Sequence, residues 1–349
     1  MKTMTDLIIW FRKNYPDLVQ EMKNSDHGYN NEDSNPYHVE GDVWTHTMMV
    51  CKAAENLDIV GKITALLHDI GKPASRVVKE DKEKVVFYNH EGVSAFMAIP
   101  ILNKMIEDNM IDTDDAIDIT RLISLHGESW KLKPSQLMSL FNINEWYLFE
   151  RLIQQIKCDE EGRFVNSTAH SLDESLFTRE QFDVYTSKEQ CFKSDSPEIR
   201  VLIGLPGCGK STYTQEILKQ KDFRVISRDS MMLRFAEHNG HTGTYSQIWK
   251  SLSEEDHETI DKLVQENFDQ ALRNKEDIII DMTNMSRKSR RKWLSPAKQK
   301  GYISNAIVFL TDVEVCASRR YENSGKHISD GVYKMMMGNF MMPGYDEFD

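Results

Sequence analysis

The chain has 349 residues, 40% of them hydrophobic and 28% charged, with a net charge of −12. That length suits two domains, each large enough to bury its own core, and the composition is ordinary for a soluble globular protein. The acidic balance argues against sequence-independent coating of nucleic acid, and no apolar run approaches the ~20 residues of a membrane span. The N-terminus opens an amphipathic pattern, not a signal peptide. The five cysteines are scattered and odd in number, with no C-x-x-C pair. A disulfide framework or cysteine zinc site is therefore not expected, and a reducing cytoplasm is.

Residues 1–165 read as nearly all helix. Val43, Thr47, Val50, Ala54 and Leu57 follow the 3.6-residue period, as do Ile63, Leu66, Leu67 and Ile70. A hairpin-like interruption at 76–78 and 84–87 precedes helices near 92–104, 113–126 and 144–159. Into this set fall His46, His68-Asp69, His90, His126 and Asp159. His126 continues the stripe Ile119, Leu122, Ile123, and Asp159 continues Phe149, Leu152, Ile153, Ile156. A lone histidine on such a stripe is usually a hydrogen-bonded core residue. A carboxylate there is costly unless paired or metal-bound. Histidines and aspartates converging from successive helices predict a metal site, and imidazole with carboxylate suits Zn, Mn, Fe, Ni or Co without choosing among them. Lys72, one turn beyond His68-Asp69, has two readings: neutralising a substrate phosphate, or a solvated charge. Arg76 and Arg163 carry the same pair of readings. His38 reads as a pocket residue or a helix-entry hydrogen-bonder.

Between 166 and 197 the period weakens and Ser, Thr, Asp and Glu dominate. This stretch reads as a linker, with a short helix near 178–182 as an alternative. Residues 198–349 alternate strand and helix, which predicts an α/β domain with a parallel sheet covered on both faces. Its strands are 199–204, 223–227, 277–281 and 303–310. Its helices lie near 210–219, 230–237, 253–274, 286–300, 313–321 and 330–340, the third opened by a capping-box pair, Ser253 and Asp256.

The segment Gly204-Leu205-Pro206-Gly207-Cys208-Gly209-Lys210-Ser211 fits the P-loop pattern G-x-x-x-x-G-K-[ST], with a strand before it and a helix after. Gly204, Gly207, Cys208 and Gly209 would bring backbone N–H groups onto phosphate oxygens, with Thr212 in the first helical turn. Lys210 would reach the β/γ-phosphates of ATP or another nucleoside triphosphate, and Ser211 the Mg²⁺. Ligand chemistry is expected at the strand C-termini. There the chain carries Arg228-Asp229 and Asp281-Met282-Thr283-Asn284, although Asp and Asn are also favoured as caps and turns. A cationic stretch including Arg320 and Lys326 precedes the last helix, as a lid would. The run Arg287-Lys288-Ser289-Arg290-Arg291-Lys292 reads as a basic track for a strand or as a solvated helix face.

His46…His68-Asp69…Asp159 resembles the H…HD…D signature of the HD-domain phosphohydrolases, and His90 and His126 resemble the added ligands of the two-metal variant. The resemblance implies a helical phosphoesterase domain in which Asp69 bridges two metals, one on His46, His68 and Asp159, the other on His90 and His126. Residues 198–345 resemble the 5′-hydroxyl polynucleotide kinases of end-healing systems. There Asp229 would be the general base, with Arg228, Asp281, Thr283 and Asn284 as neighbouring matches. The arginine that binds substrate phosphate is replaced by Met232, which leaves Arg234 as its candidate substitute. The whole chain resembles the bifunctional HD-domain/polynucleotide-kinase enzymes, which implies removal of 2′,3′-cyclic and 2′- or 3′-phosphates from RNA or DNA ends and ATP-dependent phosphorylation of 5′-OH ends. No ligase K-x-D-G motif is present, so sealing is expected of a separate ligase. Two alternatives stay open: a nucleotidase fused to a nucleoside or metabolite kinase, and a non-catalytic nucleotide- and metal-binding regulator.

Overall fold

The computed structural model describes residues 2–28, 38–164, 172–186, 196–324 and 326–349, apart from the side chains of 320–324. Its backbone divides into two compact units, Met1–Lys188 with Met337–Met342, and Glu189–Met336 with Pro343–Asp349. Among the described residues no helix is long and apolar enough to cross a membrane.

The first unit is helical because its apolar periods are closed by polar caps. Asp42 accepts from the Thr45 N–H at 2.9 Å and opens the helix Val43–Ala53. Asp58 does the same for Ile59–Leu67, and an Asp112/Asp115 capping box opens Thr113–Leu125. Ile63, Leu66, Leu67 and Ile70 are fully buried, as are Phe149 and Leu152 on the helix Trp146–Glu161. The expected interruption is an antiparallel hairpin, β1 (Arg76–Lys79) and β2 (Lys84–Phe87), with Arg76 opposite Phe87. The next helix starts two residues earlier than its apolar period suggests and runs His90–Glu107.

Part of the polar stretch read as a linker departs from that reading. Residues 165–171 and 187–195 lie outside the described residues, but Arg179–Thr186 is a helix. Its Phe182 is fully buried, with its ring 5.0 Å from that of Phe149 and 5.2 Å from that of Trp146. One aromatic among polar neighbours sets no period, so pattern could not reveal this packing. Phe182→Ala should lower the stability of the first unit by about 3–5 kcal/mol. Urea unfolding followed through tryptophan emission measures it, and a loss within experimental error would mean that the helix is only laid against the surface.

The second unit carries four parallel strands, β3 (Glu198–Ile203), β4 (Arg224–Ile226), β5 (Ile278–Ile280) and β6 (Ile303–Val308), in the spatial order β4-β5-β3-β6. Ile278, Ile279 and Ile280 are all fully buried, as expected of a strand covered on both faces. The register sets Val201 beside Ile280, so the chain leaving β3 emerges next to the chain leaving β5. There the Gly204 N–H donates to the Thr283 carbonyl at 3.0 Å. Ser253 and Asp256 form the expected capping box of the helix Glu254–Asn274. A further helix, Tyr245–Ser251, has no counterpart in the sequence reading.

Candidate two-metal centre and nucleotide-binding loop

In the first unit, His46 lies on the helix Val43–Ala53, and His68 caps the C-terminus of Ile59–Leu67 with Asp69 directly after it. His90 opens His90–Glu107, His126 closes Thr113–Leu125, and Asp159 sits near the end of Trp146–Glu161. These residues form two groups, His46/His68/Asp159 and Asp69/His90/His126. Asp69 Oδ2 lies 3.4 Å from His46 Nε2 and 3.2 Å from His68 Nε2. Its Oδ1 lies 3.2 Å from His90 Nε2 and 3.8 Å from His126 Nε2. Asp159 Oδ1 completes the first group, 3.0 Å from His46 Nε2 and 3.7 Å from His68 Nε2. One carboxylate therefore faces two sets of imidazoles, one through each oxygen. Close approach at Gly71 supports this arrangement. A Cβ there would come within 2.5 Å of the Ser94 nitrogen, on the helix that His90 opens.

The ring nitrogens pointing away from the centre are held by carbonyls. Nδ1 of His68 faces Ala65 O at 2.9 Å, that of His90 faces Phe87 O at 3.1 Å, and that of His126 faces Ile123 O at 2.7 Å. His46 Nδ1 lies 3.2 Å from Gly162 O and 3.0 Å from Glu40 Oε1. With Nδ1 donating, each Nε2 presents a lone pair inward, as metal-ligating histidines do. His68 Nε2 and both Asp69 oxygens are buried without a hydrogen-bond partner. Such groups are costly unless something fills the centre, so the donor set fits metal ions. Burial alone would push the Asp69 and Asp159 carboxyls up, but the histidines around them, with Lys72 beside Asp69 and Arg163 beside Asp159, hold both well below the usual range. Burial lowers His126 to about 4, and the neighbouring His90 and His68 add to this. Against the same burial, Asp69 and Asp159 push His68 up, a pull toward positive charge at Nε2 that a bound cation satisfies in place of a proton.

Lys72 is buried, with Nζ 2.7 Å from Asp69 Oδ2, outside hydrogen-bonding angles, and 3.4 Å from His27 Nε2. Arg163 Nη2 lies 3.8 Å from Asp159 Oδ2. Arg76 instead turns to the backbone, donating to Asp26 O and Gly28 O. Pattern reading missed His27 and Glu40. The His27 ring stacks on that of His38 at 4.3 Å, and Glu40 Oε1 is 2.7 Å from His38 Nδ1. Burial holds His27 down at about 2 and His38 at about 4, with Lys72 adding to both. The available signal was a third histidine–carboxylate group, His27, His38 and Glu40, ahead of His46 in the sequence.

In the second unit the loop from β3 to the helix Lys210–Leu218 takes the left-handed backbone at Gly207 and Gly209, with φ of 89° and 107°. Lys210 Nζ donates to the Gly204 and Leu205 carbonyls at 2.8 and 2.7 Å. Cys208 is buried and Thr212 exposed on the first turn. Thr311 Oγ1 donates to Cys208 O, and Tyr333 OH to Pro206 O. Ser211 Oγ lies 3.4 Å from Asp281 Oδ2, which sets a hydroxyl and a carboxylate side by side at the mouth of the loop. Asp229 opens the helix Arg228–His238 after β4, and its oxygens accept from Tyr245 OH and Lys326 Nζ, both at 2.7 Å.

Residues 43–162 match the HD domain family, and residues 199–341 match an AAA domain family. The chain joins an HD domain to a P-loop AAA domain. A protein of Autographa californica nuclear polyhedrosis virus, whose name assigns it bifunctional polynucleotide kinase/RNA ligase activity, is 27% identical over 134 residues, 38% of this chain and 19% of the relative. A chain in a structure of the Pnkp1/Rnl/Hen1 RNA repair complex is 24% identical with a TM-score of 0.35, the likeness covering 42% of this chain and 45% of that one. A second structure of the Pnkp1/Rnl/Hen1 complex gives 22% and 0.31, covering 40% and 45%. The chain thus spans about a fifth of the viral relative and under half of the structural ones.

Several residues of the P-loop AAA domain lie elsewhere than expected. Arg234 lines a groove of about 970 Å³ with Asp222, Arg224, Gln270 and Glu276. That groove is at the start of β4, the sheet end opposite the P-loop, so Arg234 does not stand in for an arginine near Asp229. Asn284 is buried at φ 46°, and its amide donates inward to Leu202 O at 2.9 Å. It ties the ends of β3 and β5 together and is not presented to a substrate. Thr283 meets the P-loop through its carbonyl. Arg228 is ion-paired to Asp261 at 2.6 Å. Lys326 reaches Asp229, not the phosphate loop, and the side chain of Arg320 lies outside the described residues.

The basic run is also corrected. Arg290 is fully buried, doubly bonded to Glu347 at 2.8 and 2.7 Å, and Arg287 pairs with Asp346. Arg290 shares its helix face with Trp293, Leu294 and Ala297, which faces the core. Only Lys288, Arg291 and Lys292 of the run are exposed. Arg290→Ala should cost about 3–5 kcal/mol by taking the buried two-bond partner from Glu347, which keeps only Arg287 at 3.7 Å and the Gly344 N–H. A thermal melt unchanged by the substitution would show that the pair does not bear on folding.

Proposed function

We propose that the chain heals broken nucleic-acid ends, RNA ends foremost. The HD domain removes 2′,3′-cyclic and 2′- or 3′-phosphates, and the P-loop domain phosphorylates 5′-OH ends with ATP. The observation that carries the reading is Asp69 with one oxygen toward each set of imidazoles, in a chain that also holds a P-loop. The viral relative's name, polynucleotide kinase, supports the second half.

In the HD domain, His46, His68 and Asp159 would hold one metal and His90 and His126 a second, with Asp69 between them. Transition metals held there supply Lewis acidity and a hydroxide near neutral pH. Lys72 and Arg163, against Asp69 and Asp159, supply positive charge for the terminal phosphate. Glu40 and the carbonyls of Ala65, Phe87 and Ile123 fix the imidazoles so that no reorganisation is needed during reaction.

In the P-loop domain, the loop amides and the start of the helix Lys210–Leu218 receive the phosphates of ATP. Lys210 exchanges its bonds to Gly204 O and Leu205 O for phosphate oxygens, and Ser211 with Asp281 would hold Mg²⁺. Asp229 takes the proton of the 5′-hydroxyl as its oxygen bonds to the γ-phosphorus and ADP leaves. These residues carry no ligase motif, so we assign sealing to a separate ligase.

The test is a strand bearing 5′-OH and 2′,3′-cyclic phosphate, incubated with ATP, Mg²⁺ and a panel of Mn, Ni, Zn, Co and Fe, with both ends mapped. The expected product has a 5′-phosphate and a free 2′,3′-diol. Unaltered ends under every metal would sink the reading. Free nucleosides accepted as readily as the strand would point to a metabolite kinase instead.

A further inference from the structure

The helix Tyr245–Ser251 lies beside the general-base candidate, Asp229, and carries two aromatic rings. Tyr245 OH donates to Asp229 Oδ1 at 2.7 Å, which sets the helix beside the carboxylate where an acceptor hydroxyl would arrive. One turn on, Trp249 holds its ring 18° from that of Tyr245, with centroids 6.4 Å apart. The Arg228 guanidinium lies 5.0 Å from the Trp249 centroid and is itself paired to Asp261. The His257 ring lies 4.6 Å from Trp249 on the following helix. The indole is thus held in place by a cation and a second ring while Trp249 stays 42% exposed. Keeping that much fixed aromatic surface in water forgoes burial energy and favours a flat partner.

We propose that Trp249 stacks on the nucleobase at the 5′-OH end of the acceptor strand, making Tyr245–Ser251 the acceptor subsite; this rests on the kinase reading above. Every base offers a π-face, so such a subsite accepts all four bases and recognises that a base is present, without reading its identity. The enzyme should therefore discriminate against a 5′-terminal nucleotide that lacks its base. Tyr245 shares the helix and fixes Asp229, which couples seating of the base to placement of the hydroxyl. His327 N–H donates to Ser246 Oγ at 2.9 Å, and Lys326 Nζ lies 4.1 Å above the Tyr245 ring. The chain at 326–327 thus rests on this same helix.

The experiment crosses two enzymes with two substrates. Wild type and Trp249→Leu are each given a 5′-OH oligonucleotide with an ordinary terminal base and one with a 5′-terminal abasic tetrahydrofuran residue, and KM for the strand is measured at saturating ATP. On wild type, the abasic end should raise KM roughly tenfold or more. Trp249→Leu should raise KM for the ordinary end by a similar factor and be nearly indifferent to removal of the base. Trp249→Phe keeps a ring and should recover most of the discrimination. Wild type treating both ends alike would overturn the proposal, and this comparison needs no variant to fold. So would Trp249→Leu penalising the abasic end as strongly as wild type does. A wild type that phosphorylates neither strand removes the kinase reading itself, and the subsite with it.

Discussion

Asp69→Asn should abolish removal of end phosphates, a loss on the order of 10³-fold or more, and leave 5′-phosphorylation intact. An amide offers one oxygen where the carboxylate offers two. Whichever way it turns, its NH₂ faces either His46 and His68 or His90 and His126, which removes a ligand and sets a donor against the cation. Metals in such sites contribute several kcal/mol of charge stabilisation, and about 4 kcal/mol corresponds to a thousandfold in rate. The substitution also takes the negative charge from the group 2.7 Å from Lys72. The protein should therefore bind less metal as well as turn over more slowly. Metal content after dialysis, measured beside both activities, separates the cases. Full metal content with lost activity would make Asp69 a reacting group and not a bridge. Equal loss of kinase activity in a folded variant would show that the two centres depend on each other.

What was legible in the sequence was what rests on period and on local spacing. The stripe Ile63, Leu66, Leu67, Ile70 is fully buried, and it carries His68-Asp69 inward because the helical period fixes where those residues point. The P-loop was legible for a related reason: Gly207 and Gly209 take backbone angles that few other residues tolerate, so the motif is written in residue type. What escaped depends on partners far apart in the chain. Arg290 looks like part of a charged face until Glu347, 57 residues away, is brought to it. Asn284 looks like a substrate ligand until its left-handed backbone and its bond to Leu202 O are seen. His27 and Glu40 escaped because they lie on no apolar period, and only folding sets them behind Lys72 and His46. Phe182 and the helix Tyr245–Ser251 escaped because one or two aromatics in a short polar segment give pattern reading nothing to repeat.

The second large effect is expected at Asp229. A primary hydroxyl is a poor nucleophile near neutral pH, and an aligned carboxylate takes its proton as the bond to phosphorus forms. Both Asp229 oxygens are already oriented, Oδ1 by Tyr245 OH and Oδ2 by Lys326 Nζ. Each carboxylate oxygen has a second lone pair, so the incoming hydroxyl can donate to Asp229 beside these donors. Asn is nearly the same size and keeps one acceptor, but it cannot take the proton. Asp229→Asn should lower kcat by roughly 10²-fold or more while nucleotide Kd changes little, because among the described residues the Asp229 oxygens bond to Tyr245 and Lys326. Lys210→Ala should weaken nucleotide binding and rate together, since Lys210 lies within the loop Gly204–Ser211. Measuring kcat and nucleotide Kd for both variants on one 5′-OH oligonucleotide distinguishes the roles. If Asp229→Asn kept a near-wild-type kcat, the base would have to be sought elsewhere. Asp281, 3.4 Å from Ser211 Oγ at the end of β5, is the next carboxylate to test.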